Sequence, residues 1–395
     1  MDRYRTREEQ TENEQNQGGK KWHLGPIILI FVCVLGSIAL LLYKMIKENS
    51  VYTSFEVISS AEVTSQNKYA RYGKGYIKYN NDGAEAYLDG RAVWNISYNM
   101  KKPIVDVCGD YCAFADKGMQ TVCITDGQGG NYHINIPEKI VDISIAAQGV
   151  VAVWTDSLSH DHIYVYDING VLLLDIETSI SADGFPLSVD LSDDGKKLVT
   201  SYMKIGDELA SWVTFYNFGS VGQNFAGRVV GSYSYAGKII PEVKFITNDR
   251  VCAFGEDRCI LYRMKETPSE LATQETVRLS AVCYDSESIC LAESETDGTS
   301  KITIFDTDGK SKKTIVTGLA YTGMCIEGDE LIMYSNSSCI IYYLNGSEKF
   351  RTQIDGGIRS IFPAGKDKYC VLGGNEVRII RLKTEKETSK EESID

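Results

Sequence analysis

Stretches of strand-forming residues recur along this chain about every 41 residues, a period that few folds share. The plainest unit covers residues 139–178, where KIVDISIA, GVVAVWTD, HIYVYD and GVLLLDIE are four short runs broken by turn residues. Val, Ile and Tyr dominate three of them, as in strands that fill a core. Comparable units begin near Tyr69, Pro103, Pro186, Ile240, Ser280, Leu319 and Gly357. Four strands repeated at this spacing predict an all-β chain of radially stacked blades, a β-propeller. We count eight blades. Seven is the alternative, because residues 186–240 are irregular.

The turn ahead of the fourth strand repeats as Leu88-Asp89-Gly90, Ile168-Asn169-Gly170, Thr307-Asp308-Gly309 and Leu344-Asn345-Gly346. Asn or Asp followed by Gly accepts the positive φ of a tight hairpin. Asp306 and Asp308 are read as turn residues and not as calcium ligands, since the longer acidic loop pattern is missing. The last unit has only three runs, IRSIFPA, KYCVLGG and EVRIIRL, while TSFEVISS at 53–60 lacks a partner. Pairing the two closes the ring and removes exposed strand edges. The propeller is thus expected to span 53–383, with 384–395 (TEKETSKEESID) a disordered tail.

Ahead of it, twenty residues from Leu24 to Tyr43 carry no charge. As a helix they are long enough to span a hydrocarbon core of about 30 Å. No small-residue cleavage pattern follows, so the stretch reads as an uncleaved transmembrane helix. Arg3, Arg5, Arg7, Lys20 and Lys21 precede it, and only Lys44 and Lys47 follow closely. This bias predicts a single-pass protein of the cell membrane, with a disordered cytoplasmic tail (1–23), a linker (44–52) and an extracytoplasmic propeller. Residues 48–395 hold 34 basic and 49 acidic side chains, a formal −15. Such a field repels nucleic acid and other polyanions and leaves neutral or cationic partners.

Eleven cysteines in an exported chain first bring disulfides to mind. Yet Cys112, Cys252, Cys290 and Cys370 fall in predicted second strands, and Cys123, Cys259 and Cys339 in third strands, where a small apolar residue is needed. The spacings of Cys252 to Cys259 and of Cys283 to Cys290 would still permit pairing across a hairpin. No CxxC occurs, and there is no GxSxG elbow, P-loop or GxGxxG after a strand. His160 and His162 alternate on a short segment that could aim both rings one way, but no further metal ligand is evident and we read a surface loop. No catalytic, cofactor or metal residue is assigned.

Three segments, PIVDV at 103–107, DDGKKLVTSY at 193–202 and TFYNFGSVG at 214–222, together resemble a family of membrane-anchored propellers of Gram-positive bacteria that carry a domain of unknown function. Those proteins have one N-terminal helix and a propeller similar to quinoprotein and YVTN-type repeats. The resemblance covers most of residues 20–383 and implies fold and location only. Ser192-Asp193-Asp194-Gly195 stands where such propellers often read Ser-Pro-Asp-Gly. Quinone binding does not carry over, because the stacking Trp and metal-binding acids have no counterpart around Trp94, Trp154 or Trp212.

In a four-stranded blade the loops between second and third strands share one face, here the first face, with the connections to the next blade. Insertions gather there: 155–162, 177–186, 203–211 and 293–300. Their candidate binding residues are Asp156, His160, Asp161, His162, Asp207, Glu208, Glu293, Glu295 and Asp297, since loops on a rigid scaffold are where function concentrates. If 53–60 is the outer strand of the last blade, the chain joins the ring from the second face. The expectation is a binding or assembly platform for an envelope protein or glycan. Two alternatives stay open: an extracytoplasmic enzyme (glycan hydrolase, lyase or cofactor-dependent dehydrogenase) using channel acids, and a sensor signalling through the helix.

Overall fold

The computed structural model describes residues 24–47, 50–157, 160–179, 183–206 and 208–391. Residues 51–391 form eight antiparallel four-stranded sheets. Blade 1 runs from Lys68 to Ser97, blade 2 from Pro103 to Asn135, blade 3 from Lys139 to Thr178 and blade 4 from Phe185 to Ala236. Blade 5 follows from Glu242 to Glu275, blade 6 from Leu279 to Thr317 and blade 7 from Gly323 to Gln353. Blade 8 combines three strands between Ser360 and Lys383 with Ser54–Glu62, which pairs antiparallel with Glu376–Lys383 as its outer strand. This eight-bladed, N-terminally closed ring settles the choice against seven blades, and residues 185–236 form one enlarged blade.

The reason for the strand runs is that each blade is covered on both sides. In blade 3, Val151, Ala152 and Val153 of the second strand are all fully buried, as are Ile163 and Val165 of the third. Consecutive burial demands a continuous apolar run, whereas the outer strand, Leu172–Thr178, buries only Ile176 and Thr178. Cys112, Cys123, Cys252, Cys259, Cys290, Cys339 and Cys370 occupy these central strands and are buried. All described cysteines are free thiols. Cys283 does face Cys290 directly, but Cys252 sits opposite Leu261 and Cys259 opposite Phe254. The repeated turns form as expected, with φ of 74°, 80°, 85° and 92° at Gly90, Gly170, Gly309 and Gly346. Asp306 spends its carboxylate on the backbone N–H groups of Asp308 and Lys310, the usual work of a turn aspartate.

Inner strands are tied to one another by short polar side chains. Asp106 of blade 2 accepts the N–H of Ile145 in blade 3 at 2.7 Å, and Ser144 of blade 3 accepts that of Leu191 in blade 4 at 3.0 Å. Asp190 of blade 4 accepts the N–H of Phe245 in blade 5 at 2.7 Å and the Lys244 ammonium at 2.8 Å. Burial pushes the Asp106 carboxyl up to about 6, although Lys244 opposes the shift.

The ring closes around a buried lysine. Lys349, at the start of the outer strand of blade 7, donates to Glu330 (2.5 Å), Asp367 (3.0 Å) and the Tyr369 hydroxyl (3.0 Å). Its ammonium also lies 5.1 Å from the Tyr52 ring centroid, with Tyr343 and Tyr369 at 5.7 and 5.5 Å, so aromatic faces complete the cage. The Tyr52 N–H donates to the Lys349 carbonyl at 2.9 Å, which fastens the chain to the ring immediately before the closing strand.

Two ends differ from expectation. The N-terminal helix, Leu24–Lys47, continues past Tyr43 into the expected linker. Its described side chains run only from 29 to 40, and among the described residues no helix is long and apolar enough to cross a membrane. At the other end the expected tail begins with a helix, Glu385–Glu391. Thr384 donates both its N–H and its hydroxyl to Glu387 at 2.8 Å, half of a capping box that the Thr-x-x-Glu spacing encodes. The Thr388 hydroxyl then meets that of Ser54 at 2.7 Å, against the closing strand.

Replacing Lys349 with Met leaves Glu330 and Asp367 without their cation in a dry site. We expect a loss of about 3–5 kcal/mol in urea unfolding, the range for breaking one side of a buried ion pair. An unchanged midpoint would show that the cage does not hold the ring.

Candidate functional site

Blade 4 stands out by strand length. Its second and third strands, Lys197–Ile205 and Leu209–Asn217, have nine residues each, against six for Val151–Asp156 and Asp161–Tyr166 of blade 3. The extra residues lie at the first face, where the two strands are joined. Val199, Val213 and Phe215 pack with blade 5, and Leu198 and Tyr216 with blade 3. Strand alternation then puts Tyr202 and Lys204, and Trp212, Thr214 and Tyr216, on the side toward blade 3. Tyr202 lies directly opposite Trp212 and Thr214 opposite Ser232.

These residues line a cavity of about 270 Å³, completed by Val229, Ser232 and Asp183 of the connection from blade 3. Its depth is polar and organised. The buried hydroxyls of Tyr202 and Tyr216 meet at 3.2 Å in that depth, while the Thr214 and Ser232 hydroxyls meet at 2.9 Å at its exposed side. Burial pushes both tyrosines above the usual phenol range, with Asp183 adding to the shift, so both stay neutral hydroxyls. Asp183 is held in place by accepting the N–H of Ser179 at 2.9 Å. Trp212 remains 37% exposed. A cavity with aromatic walls and a few convergent polar groups is the usual form of a small-molecule site.

The candidate binding residues divide between two places. Asp156, His160, Asp161, His162 and Glu208 belong to blades 3 and 4, while Glu293, Glu295 and Asp297 belong to blade 6. Asp207 lies outside the described residues. Asp161 is not a surface acid: it is buried and opens the third strand of blade 3, and its carboxyl is raised by burial and by Asp156. His162 belongs to the same strand and not to a loop, because the strand begins at Asp161. Its Nδ1 lies 2.7 Å from Asp175 and its Nε2 3.8 Å from Glu138, and the ring stacks on Tyr164. His160 is exposed and 3.7 Å from Glu177, so the two histidines have different partners. Glu293 accepts the N–H of Val277, and Asp297 caps the N–H and hydroxyl of Thr299. Among the described residues no group of three or more His, Cys, Asp or Glu is arranged to hold a metal ion.

Sequence reasoning missed Tyr202, Trp212 and Tyr216, although the pattern Trp212-x-Thr214-x-Tyr216 carries the period-two signal of one strand face.

The profile of a family of unknown function, DUF5711, matches residues 48–382. The chain belongs to that family. A comparison of this DUF5711 chain with proteins of curated function returned no match. Among solved structures it is similar to BamB from Moraxella catarrhalis, with a TM-score of 0.54 and 13% identity over 83% of this chain and 100% of that one. Sqt1 of Saccharomyces cerevisiae gives 0.56 and 12% over 84% and 100%, and the computationally designed Ika8 protein 0.52 and 12% over 84% and 99%. Likenesses this distant show the propeller fold alone.

Burial alone would lower the His162 imidazole, but Asp175, Glu138 and Glu177 outweigh it and hold it above its ordinary value of 6.5. Its contribution to stability is therefore complete below 6.5, where the unfolded chain is also protonated, and is lost as the pH rises through the raised folded-state value. The His162 ring protons should titrate above 6.5 by NMR, and Asp175→Asn should bring the midpoint down. A midpoint insensitive to Asp175→Asn would refute the pairing.

Proposed function

We propose that this DUF5711 chain is a single-pass membrane protein whose propeller is an extracytoplasmic binding platform for an envelope protein or glycan. The observation that carries the reading is the placement of the cavity relative to the point where the chain joins the ring. Tyr52 is fastened beside Lys349 and Asp367, next to the turns of the second face. The cavity and the enlarged blade 4 hairpin belong to the first face. The chain therefore enters the propeller on the face opposite the cavity.

The anchor itself is argued from the twenty uncharged residues Leu24 to Tyr43 and from the basic residues ahead of them. Binding is favoured over hydrolysis because the inner-strand acids Asp106 and Asp190 are engaged by backbone N–H groups of the next blade, and Asp190 also by Lys244. A hydrolytic pair would instead face a substrate.

Single cysteines introduced at Glu208 on the first face and Gln223 on the second, in the full-length protein on intact cells, report the orientation. We expect a bulky, membrane-impermeant maleimide to label position 208 faster. Faster labelling at 223 would reverse the orientation, and protection of both until the cells are permeabilised would place the propeller in the cytosol.

A further inference from the structure

We propose that the blade 4 cavity binds one neutral saccharide ring, stacked on Trp212. The inference deepens the platform reading and rests on it for biological setting, though not for the binding itself.

Trp212 is the starting point. Indole carries a large apolar face whose removal from water is strongly favourable, so a tryptophan left 37% exposed at the mouth of a formed cavity offers a flat surface for a ligand. The axial C–H groups of a pyranose present a face of matching flatness and weak positive polarity, suited to the negative face of an aromatic ring. Tyr202 sits directly across the strand pair and extends the aromatic wall inward.

The polar groups select among ligands. Asp183 only accepts hydrogen bonds, Lys204 only donates them, and Thr214 and Ser232 do both. A ligand with several hydroxyls matches this mixed set without bringing a charge of its own. An anion would meet Asp183, the aromatic faces and the −15 of residues 48–395. A quaternary ammonium would use the same aromatic rings, and it is distinguished from a saccharide by direct competition in the test below. Volume restricts the choice further. About 270 Å³ lies just below the usual range for small-molecule pockets, which fits one sugar ring and not an enclosed chain. A longer glycan would place one unit here and leave through the open mouth.

The test uses the purified full-length protein in detergent and saturation-transfer NMR. Probes are neutral hexose and N-acetylhexosamine mono- and trisaccharides, with tetramethylammonium and a sulfated hexose as charged controls. We expect saturation on the ring C–H protons of a neutral saccharide. Trp212→Ala should weaken binding by at least about tenfold, as expected for losing one stacked aromatic contact with its buried area. Trp212→Phe should recover part of the affinity, and Thr214→Val should lower it while retaining stacking. Unchanged thermal unfolding will show that the variants remain folded.

Absence of saturation from every neutral saccharide overturns the proposal, as does binding that ignores Trp212→Ala. Stronger binding of tetramethylammonium or the sulfated sugar at the same residues overturns the neutral class. Failure here leaves the platform reading standing if the labelling order at 208 and 223 holds. A cytosolic propeller that still binds sugar through Trp212 sinks the platform reading alone.

Discussion

A propeller blade cannot hide its own apolar faces, and everything else in this molecule follows from that requirement. The second and third strands are sandwiched between neighbouring blades, so Val151 to Val153 and Ala113 to Ala115 are buried at every position, regardless of which way each side chain points. Burial at about 25 cal/mol per Å² of apolar surface is the dominant favourable contribution to such stacking. It is available only while each blade has a neighbour on both sides. A ring supplies this, and an open stack does not.

Closure accordingly has a buried polar cage of its own, as the seam of blades 4 and 5 has in Lys197. The closing strand supplies no long covalent restraint, so its register rests on pairing with Glu376–Lys383 and on what fixes its two ends. At one end Tyr52 is bonded to Lys349, whose ammonium is met by two carboxylates, the Tyr369 hydroxyl and the rings of Tyr52 and Tyr343. A lysine this buried is costly to desolvate unless each donor is met, which makes the cage specific for one arrangement of the strands. Near the same end the C-terminal helix reaches Ser54 through Thr388. The inner belt of Asp106, Ser144 and Asp190 plays the corresponding part on the channel side, linking the inner strands of blades 2 to 5 in succession.

Those constraints decide what could be read from the chain beforehand. Two-sided burial writes itself as apolar runs at a fixed period, so blade number, closure and the apolar role of the central-strand cysteines were legible. Turn glycines were legible too, because φ near 80° at Gly170 excludes most other residues. The cavity was not, for acids in long loops draw attention while its lining consists of ordinary strand residues. Asp297 proved to be a local cap, Glu293 a tie to the Val277 N–H and to Lys301, and Asp161 a buried strand residue. His162 reads as a loop residue because the segment before it is polar, yet the strand starts one residue earlier. The irregular stretch 186–240 hid the cavity for a related reason. Its strands are longer than the repeat, and the period that found the other blades had no place for the surplus.

That surplus explains why a cavity arises on blade 4. Neighbouring blades of equal height cover one another, and side chains between them pack without leaving room for a ligand. The second and third strands of blade 4 exceed those of blade 3 by three residues each, so the added portion extends beyond the ends of the blade 3 strands, where Asp183 of the connection joins the lining. The alternation that buries Tyr216 deeper in the blade then brings Trp212 and Lys204 up to that margin, where solvent reaches them. A site can therefore be added to a closed ring by lengthening one hairpin, with the radial core left intact. The same mismatch of strand length is the feature to seek in other members of the family, since it marks where stacking stops and binding can begin.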